Sequence, residues 1–333
     1  MQIAAPYLLF LGDAADQLAA KTADGIARWR PQNVVGQLRL PGCRADLGLP
    51  DVTLEQAQSA GARTLVVGVA NRGGVIPAGW LDTLSRAIEL GFDLAAGLHQ
   101  RLADQPRLAA VAAQLGRRLF DVRQPDRGFE VGTGLLRPGK RCLTIGTDCS
   151  VGKMFTALAI EKDLKARGLK ADFRATGQTG ILIAGSGVSV DAVVADFISG
   201  ATEWLAPANQ DDHWDIIEGQ GSLAHPSYAG VSLGLLHGAQ AQALVLCTEP
   251  GRPHMRGLPG RPLPPLGECL TLNETCARLT CPAARVIGIA ANTAGMDAMQ
   301  ARRWLDDAAD LLGLPAVDPL RGGVGPLVDR MLQ

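Results

Sequence analysis

The residues best suited to chemistry in this chain form a short run that is bounded by two glycines and ends in a lysine. The run extends from Gly146 to Lys153 and has the sequence Gly-Thr-Asp-Cys-Ser-Val-Gly-Lys. The glycines let backbone N–H groups converge on an anion without Cβ clashes, and the lysine adds a compact positive charge. This pattern predicts a phosphate-binding loop before a helix, whose positive dipole end also favours an anion. The alternative is a tight structural turn.

Two features separate this run from the phosphate-binding loop of common nucleotide hydrolases. Five residues lie between Gly146 and Gly152, where four are usual. Met154 stands where a serine or threonine would normally offer its hydroxyl to Mg²⁺. We therefore expect a phosphorylated ligand that is held without a metal. The residues predicted to bind it are Gly146, Thr147, Asp148, Cys149, Ser150, Val151, Gly152, Lys153 and Met154.

The elements that position this loop are predicted to form the second of two α/β domains. We predict domains at residues 1–125 and 141–333, joined by a linker at 126–140 that is rich in proline, glycine and charge. Short apolar runs alternate with helical patterns in both domains, which is typical of doubly wound parallel sheets with right-handed crossovers. Predicted elements include helices at 13–30, 153–167, 190–205 and 298–312 and a strand at 214–217.

Polar residues also follow other predicted strands of the second domain. Glu218 follows one strand and Asn292 follows another, while Gln178 and Thr179 stand among glycines after a third. In an open parallel sheet the carboxyl ends of the strands form the ligand crevice. We therefore expect these residues and the phosphate-binding loop to contribute to one site.

Composition argues against several classes of function. The 32 basic and 33 acidic residues give a formal charge of -1, and only 4% of residues are aromatic, so a nucleic-acid partner is not expected. No apolar run reaches the roughly 18 residues of a membrane helix, and the N-terminus lacks the basic region of a signal peptide. We expect a soluble, cytoplasmic protein without a membrane partner.

The seven cysteines form no C-x-x-C pair, which favours reduced thiols over a zinc site or disulfides. Cys149 lies within the loop, where a nucleophilic role is the alternative to a small residue that simply fits the turn. The first domain lacks a G-x-G-x-x-G fingerprint, so we expect no nicotinamide cofactor there.

Longer strings resemble known families. The loop, Glu-Gly-x-Gly at 218–221 and Ala-Asn-Thr at 291–293 are similar to dethiobiotin synthetase, in which the glutamate approaches magnesium and the asparagine contacts adenine. Over essentially the whole chain, the sequence resembles the DUF1611 family, through the strings GTDCSVGKM, RATGQTGILI and EGQGSLAHPSYAGVSLGLLHG. This resemblance implies an α/β fold with a Rossmann-like N-terminal domain and a P-loop NTPase-like C-terminal domain, each built on a parallel sheet.

The family resemblance also implies an activity, because some members are D-glutamate N-acetyltransferases that use acetyl-CoA. The chain would then transfer an acetyl group to the amine of a small acidic amino acid by direct attack, with no metal. Asn292 would contact the adenine of the coenzyme. The reaction needs an unprotonated amine, for which the candidate bases are Glu218, His225, Asp148 and His237. Candidates for binding the amino-acid substrate are Arg174, Gln178, Thr179, Gln220, Ser222, Arg252 and Arg256.

Plainer roles exist for several of these residues. Glu218 could simply form hydrogen bonds with the neighbouring backbone. His225 could be a surface residue, and His237 could be a hydrogen-bonded histidine at a helix end. Arg252 and Arg256 could be solvent-exposed residues of a mobile loop, with no substrate contact.

Two other functions remain open. One is an ATP-dependent ligase or carboxylase similar to dethiobiotin synthetase, although Met154 leaves magnesium without a loop ligand. The other is a non-catalytic nucleotide sensor that signals through oligomer contacts. We also expect a homo-oligomer, because the predicted helices carry apolar faces that look exposed.

Overall fold

The computed structural model describes residues 2–333. Its strands are β1 (Tyr7–Gly12), β2 (Val34–Arg39), β3 (Thr64–Val67), β4 (Asp93–Ala96), β5 (Leu119–Asp121), β6 (Lys140–Gly146), β7 (Ala171–Arg174), β8 (Trp214–Ile217), β9 (Ala243–Thr248), β10 (Arg285–Ala291) and β11 (Ala316–Val317). Its α-helices are α1 (Lys21–Trp29), α2 (Leu54–Ser59), α3 (Leu81–Glu89), α4 (Pro106–Leu115), α5 (Lys153–Ala166), α6 (Gln178–Ala184), α7 (Ile198–Leu205), α8 (Ala229–Ala239), α9 (Leu266–Ala277), α10 (Ala298–Leu312) and α11 (Gly325–Leu332). Within residues 2–333, none of the helices combines the length and apolar character needed to cross a membrane.

The chain divides into two compact units. The first unit contains residues up to 126 together with residues 177–192, and the second contains residues 127–176 and 193–333. Residues 177–192, which include α6, thus belong to the first unit, whereas the predicted boundaries assign them to the second domain.

The first unit is built on a five-stranded parallel sheet with the order β2-β1-β3-β4-β5. The central strands β1 and β3 are wholly buried, and they pair with Leu8 opposite Leu65 and Phe10 opposite Val67. Such continuous apolar runs are typical of parallel strands covered on both faces. Burying each of these large side chains contributes about 1.5–3 kcal/mol.

The second unit is built on a six-stranded parallel sheet with the order β11-β10-β9-β6-β8-β7. β6 lies in the middle, where Cys142 is opposite Ala243 of β9 and Ile216 of β8. The chain moves to one side of β6 to form β7 and β8, and to the other side to form β9, β10 and β11. The predicted α/β class with two parallel sheets is confirmed, and the end of β6 is the switch point at which such sheets bind ligands.

Local sequence accounts for the bounds of two predicted elements. β8 (Trp214–Ile217) and α10 (Ala298–Leu312) have the predicted bounds. α10 begins after Asp297, whose carboxylate accepts a hydrogen bond from the Gln300 backbone while the Gln300 side chain returns one to the Asp297 backbone.

Two predicted helices are too long. The helix predicted over 190–205 is reduced to 3₁₀ turns at Val190–Ala192 and Ala195–Phe197 followed by α7, because β-branched valines disfavour the first turns. The helix predicted over 13–30 is a 3₁₀ turn at Leu18–Ala20 followed by α1, and Asp16 accepts a hydrogen bond from the Ala19 backbone where the turn begins.

Candidate functional site

The loop between β6 and α5 wraps around the side chain of Lys153. Lys153 is the first residue of α5 and is buried, and its Nζ donates to the backbone oxygen of Asp148 at 2.8 Å. Gly152 has φ +100°, and Ser150 also lies in the left-handed region with φ 55°. A Cβ added to Gly146 would lie 3.0 Å from the lysine Nζ. The glycines therefore make room for the lysine inside the loop.

Burial lowers the pKa of Lys153, because a charged amine is poorly solvated there. Nearby groups that include Cys247, Cys149, Asp148 and Glu218 act in the opposite direction but do not cancel the effect. A phosphate bound at this position would place a negative charge beside the buried amine and so favour its protonated form.

Asp148 organises the loop from within. Its side chain is fully buried, and its Oδ1 accepts from the Cys149 backbone at 2.7 Å. Its Oδ2 accepts from Nη1 of Arg252 at 2.7 Å and from the backbone N–H of Arg256 at 2.8 Å. Burial alone would raise the pKa of Asp148, but these hydrogen bonds and the arginine charge outweigh it and hold the pKa below its usual value. The geometry therefore favours a structural anion over a base.

Arg252 binds the loop through most of its donors. Besides Asp148, its guanidinium donates to the backbone oxygens of Cys149 at 2.7 Å and Ser150 at 3.1 Å, and it pairs with Glu249. The segment after β9 is thereby attached to the phosphate-binding loop. This arrangement suits a residue that shapes the loop, rather than the substrate contact that the sequence predicts.

His225 is buried beside this network. Its Nδ1 accepts from the backbone N–H of Ser227 at 3.2 Å, and its Nε2 lies 3.1 Å from the backbone oxygen of Arg256. These partners assign the proton to Nε2, which is 4.0 Å from Oδ1 of Asp148. The structure thus brings His225 to the loop, where the backbone of Arg256 contacts both His225 and Asp148.

Glu218 directly follows β8 and lies next to the base of the loop. Its Oε2 accepts from the backbone N–H of Thr176 at 2.9 Å, and Thr176 Oγ1 donates to the Glu218 backbone oxygen at 2.6 Å. The neighbouring Gly219 must be glycine, because an added Cβ would lie 1.6 Å from the backbone oxygen of Thr144. That close approach holds Glu218 against the end of the central strand.

The loop after β8 lines a small cleft with the end of β6. Gln220 and Ser222 contribute polar groups to it, and the same cleft includes Gly146 and Gly219. Gln220 Nε2 donates to Thr176 Oγ1 at 3.2 Å, and Thr176 is also the residue that bonds Glu218. Both residues predicted from this loop therefore lie beside the phosphate-binding loop.

Asn292 follows β10 on the other side of the loop. A Cβ added to Gly152 would lie 4.0 Å from its Cβ. The Asn292 backbone donates to Thr248 at 2.8 Å, and its Oδ1 accepts from the Ala294 backbone at 3.2 Å. This position suits a side-chain amide that contacts a ligand held by the loop.

Arg174 and His237 are not placed at the loop. The guanidinium of Arg174 turns back along the sheet to Asp215, at 2.7 Å and 2.8 Å. His237 lies in the last turn of α8, about 12 Å along the helix from its start. Neither arrangement supports the roles predicted for them.

Gln178 and Thr179 begin α6, which belongs to the first unit. There a Cβ added to Gly97 would lie 2.9 Å from Oε1 of Gln178, and one added to Gly25 would lie 3.7 Å from Cγ2 of Thr179. Both side chains pack against glycines of their own unit.

Donor atoms of Asp148, Cys149 and His225 lie within 4.8 Å of one another, so these residues could hold a metal ion. The carboxylate oxygens already accept hydrogen bonds, and the guanidinium of Arg252 already compensates their charge. Burial also raises the pKa of the Cys149 thiol, which opposes the thiolate that a metal would need. The absence of a metal stays a prediction.

Sequence reasoning missed Thr176 and Asp318. Thr176 follows β7 and holds Glu218, while buried Asp318 follows β11 and accepts from the Thr293 backbone at 3.1 Å. Their positions at strand ends are the signal that could have identified them.

Comparisons with known proteins agree with this architecture. A family model described as the DUF1611_C P-loop domain of unknown function matches residues 130–328, and one described as the DUF1611_N Rossmann-like domain matches residues 38–125. A crystal structure of a DUF1611 family protein from Anabaena variabilis ATCC 29413 has a TM-score of 0.82 and 34% identity, with 99% of each chain covered.

Two named relatives match over their full length. The chain is 56% identical over 329 residues to a D-glutamate N-acetyltransferase from Tritonibacter scottomollicae, covering 99% of each chain. It is 48% identical over 331 residues to a D-glutamate N-acetyltransferase from Pseudoalteromonas sp, covering 99% of this chain and 100% of the relative. The family predicted from the sequence is confirmed, and the chain belongs to the DUF1611 family, with an N-terminal Rossmann-like domain and a C-terminal P-loop domain.

Proposed function

We propose that this protein transfers the acetyl group of acetyl-CoA to the amino group of D-glutamate. The observation that carries the proposal is the loop around Lys153, which places a buried lysine at the first residue of α5, where a helix favours an anion, while Met154 provides no hydroxyl for magnesium. The names of two full-length relatives at 48% and 56% identity support the same reaction.

The loop would hold the pyrophosphate of acetyl-CoA. Lys153 would exchange its contact with the Asp148 backbone oxygen for phosphate oxygens, and the start of α5 would add its dipole. Asn292, next to Gly152, would contact the adenine edge. No γ-phosphate has to be activated in acetyl transfer, so a methionine at position 154 is compatible with the reaction.

The acceptor would bind at the mouth of the small cleft that the loop after β8 forms next to Glu218. Gln220 and Ser222 line this cleft and can donate to carboxylate oxygens of the amino acid. Arg256 has an exposed side chain, and its positive charge is near enough to the loop to oppose the rise that burial causes in the pKa of the Cys149 thiol. It is therefore our candidate for pairing with a substrate carboxylate, in place of Arg252.

The chemical step would begin when the carboxylate of Glu218 removes a proton from the substrate ammonium group. The nitrogen lone pair then attacks the thioester carbonyl carbon, forming the C–N bond of a tetrahedral intermediate. Collapse of this intermediate breaks the C–S bond. The departing coenzyme A thiolate takes the second proton from nitrogen, and the first proton passes from Glu218 to solvent. No covalent enzyme intermediate is required.

The proposal is tested by following thiol release from acetyl-CoA with purified protein and a panel of D- and L-amino acids. Thiol release with D-glutamate, and much less with L-glutamate, is the expected result. ATP with Mg²⁺ and the same amino acids serves as the parallel reaction. Phosphate release without thiol release would instead support the ATP-dependent ligase.

A further inference from the structure

A second cationic group lies at the carboxyl edge of the same sheet, in the loop after β11. Nη2 of Arg321 donates to the backbone oxygens of Thr293 at 3.1 Å and Met296 at 2.6 Å, in the loop after β10. Its Nε is 3.9 Å from Oδ2 of Asp318, beyond hydrogen-bond distance, and the side chain is 40% exposed. Among residues 2–333, no group accepts a hydrogen bond from Nη1. Nη2 of the guanidinium is thus held by the protein, while Nη1 can donate to a ligand.

Asp318 makes this position rigid. Its buried carboxylate accepts from the backbone N–H and the hydroxyl of Thr293, on the loop after β10. The same carboxylate accepts from the backbone N–H groups of Leu320 at 2.9 Å and Arg321 at 3.2 Å. The two loops are therefore joined through one carboxylate, and Arg321 does not have to be ordered when a ligand arrives.

Arg321 also lies in the direction in which the proposed ligand extends. The sheet order β6-β9-β10-β11 puts three strand spacings, about 14 Å in total, between the phosphate-binding loop and the loop after β11. Asn292 lies between them, next to Gly152 and one residue before Thr293. A nucleotide with its pyrophosphate at Lys153 and its adenine at Asn292 has its ribose between these two residues. Arg321 contacts the backbone of Thr293, the residue after Asn292, so a phosphate that projects from that ribose along the sheet edge extends toward the guanidinium.

We infer that Arg321 binds the 3′-phosphate of coenzyme A and so distinguishes this ligand from nucleotides that lack it. The inference rests on the proposed function. A guanidinium with a free donor edge is suited to phosphate oxygens, and the 3′-phosphate is the anionic group that the ribose of coenzyme A carries in addition to the pyrophosphate placed at Lys153. Arg321 contributes to the affinity and specificity of coenzyme A binding and takes no part in the acetyl transfer.

The test is calorimetric titration of the full-length protein with coenzyme A and with 3′-dephospho-coenzyme A. The wild type should bind coenzyme A about 10-fold or more tightly than the dephospho form. In Arg321→Gln this ratio should fall to about one, with the affinity for the dephospho form unchanged. Arg321→Lys should retain part of the preference. Arg330→Gln is the control, because Arg330 lies in the last turn of α11 and bonds only Gln333 among residues 2–333.

Two outcomes would overturn the assignment while leaving the proposed function intact. One is a wild type that releases thiol from acetyl-CoA but binds the two ligands equally. The other is an Arg321→Gln protein that loses affinity for both ligands to the same extent, which would indicate a purely structural role. A wild type that binds neither ligand and releases no thiol would remove the proposed function, and the assignment with it.

Discussion

Nη1 of Arg252 lies 2.7 Å from Oδ2 of Asp148, across 104 positions of sequence. This ion pair joins the segment after β9 to the phosphate-binding loop, and it does so at a carboxylate with no solvent exposure. The shape of the loop therefore depends on a contact that neither segment could make alone.

Replacing Asp148 with asparagine should destabilise the protein and weaken coenzyme A binding. The variant loses a charge-assisted hydrogen bond and leaves the arginine beside a neutral group, so we expect a loss of about 2–3 kcal/mol in the free energy of unfolding. Urea denaturation measures this loss. Asp329→Asn is the control, because Asp329 pairs with Arg167 at an exposed position, and the expected loss there is about 1 kcal/mol or less. Similar losses in both variants would contradict the structural role of Asp148.

The stabilisation by Asp148 should also depend on pH in a defined direction. Its pKa in the folded protein is held below the value of 3.8 expected without these partners. A carboxylate with a depressed pKa stabilises the fold at pH values above its unfolded pKa, and this stabilisation is lost as the pH falls through the folded pKa. The difference in unfolding free energy between wild type and Asp148→Asn should be constant from pH 7 to about 5, and should shrink below about pH 4. A difference that already shrinks between pH 7 and 5 would be inconsistent with a depressed pKa.

Replacing Lys153 with methionine should stabilise the unliganded protein. Burial lowers the pKa of Lys153, so its protonated form destabilises the fold, and this penalty is relieved only as the pH rises through the folded pKa. At pH 7 the methionine variant should therefore have a melting temperature a few degrees above that of the wild type, as expected for a residue kept for function. Lys162→Met changes an exposed lysine of the same helix and should have little effect. A lower melting temperature for Lys153→Met would show that the lysine has a net stabilising role.

Replacing Glu218 with glutamine should lower turnover much more than binding. The amide keeps the shape of the side chain but is a poor base, so kcat should fall by about 10²- to 10⁴-fold while the Kd for coenzyme A changes little. Steady-state kinetics and calorimetry separate the two effects. Glu203→Gln is a matched control, because Glu203 also accepts backbone hydrogen bonds, from Thr133 and Gly134, and is placed outside the site. Unchanged kcat in Glu218→Gln would remove Glu218 from the role of base and leave His225 as the next candidate.

Sequence patterns could predict those parts of the fold that depend on local chemistry. The buried strand β8 is apolar except at Asp215, and α10 has a capping box at Asp297, so both were predictable. α8 was not predicted, since its sequence AGVSLGLLHGA contains three glycines and no charged residue from which an exposed face could be recognised.

The candidate site was predictable where residues follow strands directly. Glu218 and Asn292 lie beside the loop for this reason. The sequence could not show that Arg252 binds Asp148, because this contact joins segments 104 positions apart. Nor could it show that residues 177–192 belong to the first unit, since their packing depends on glycines such as Gly25 and Gly97 that are distant in sequence.

The most direct test of the central claim is a calorimetric titration of wild type and Lys153→Met with coenzyme A, in EDTA and again in Mg²⁺. If the loop holds the coenzyme phosphates without a metal, the wild-type Kd should be the same in both buffers and should rise by about 100-fold in Lys153→Met. Equal Kd values for the two proteins, or binding only in Mg²⁺, would contradict the account.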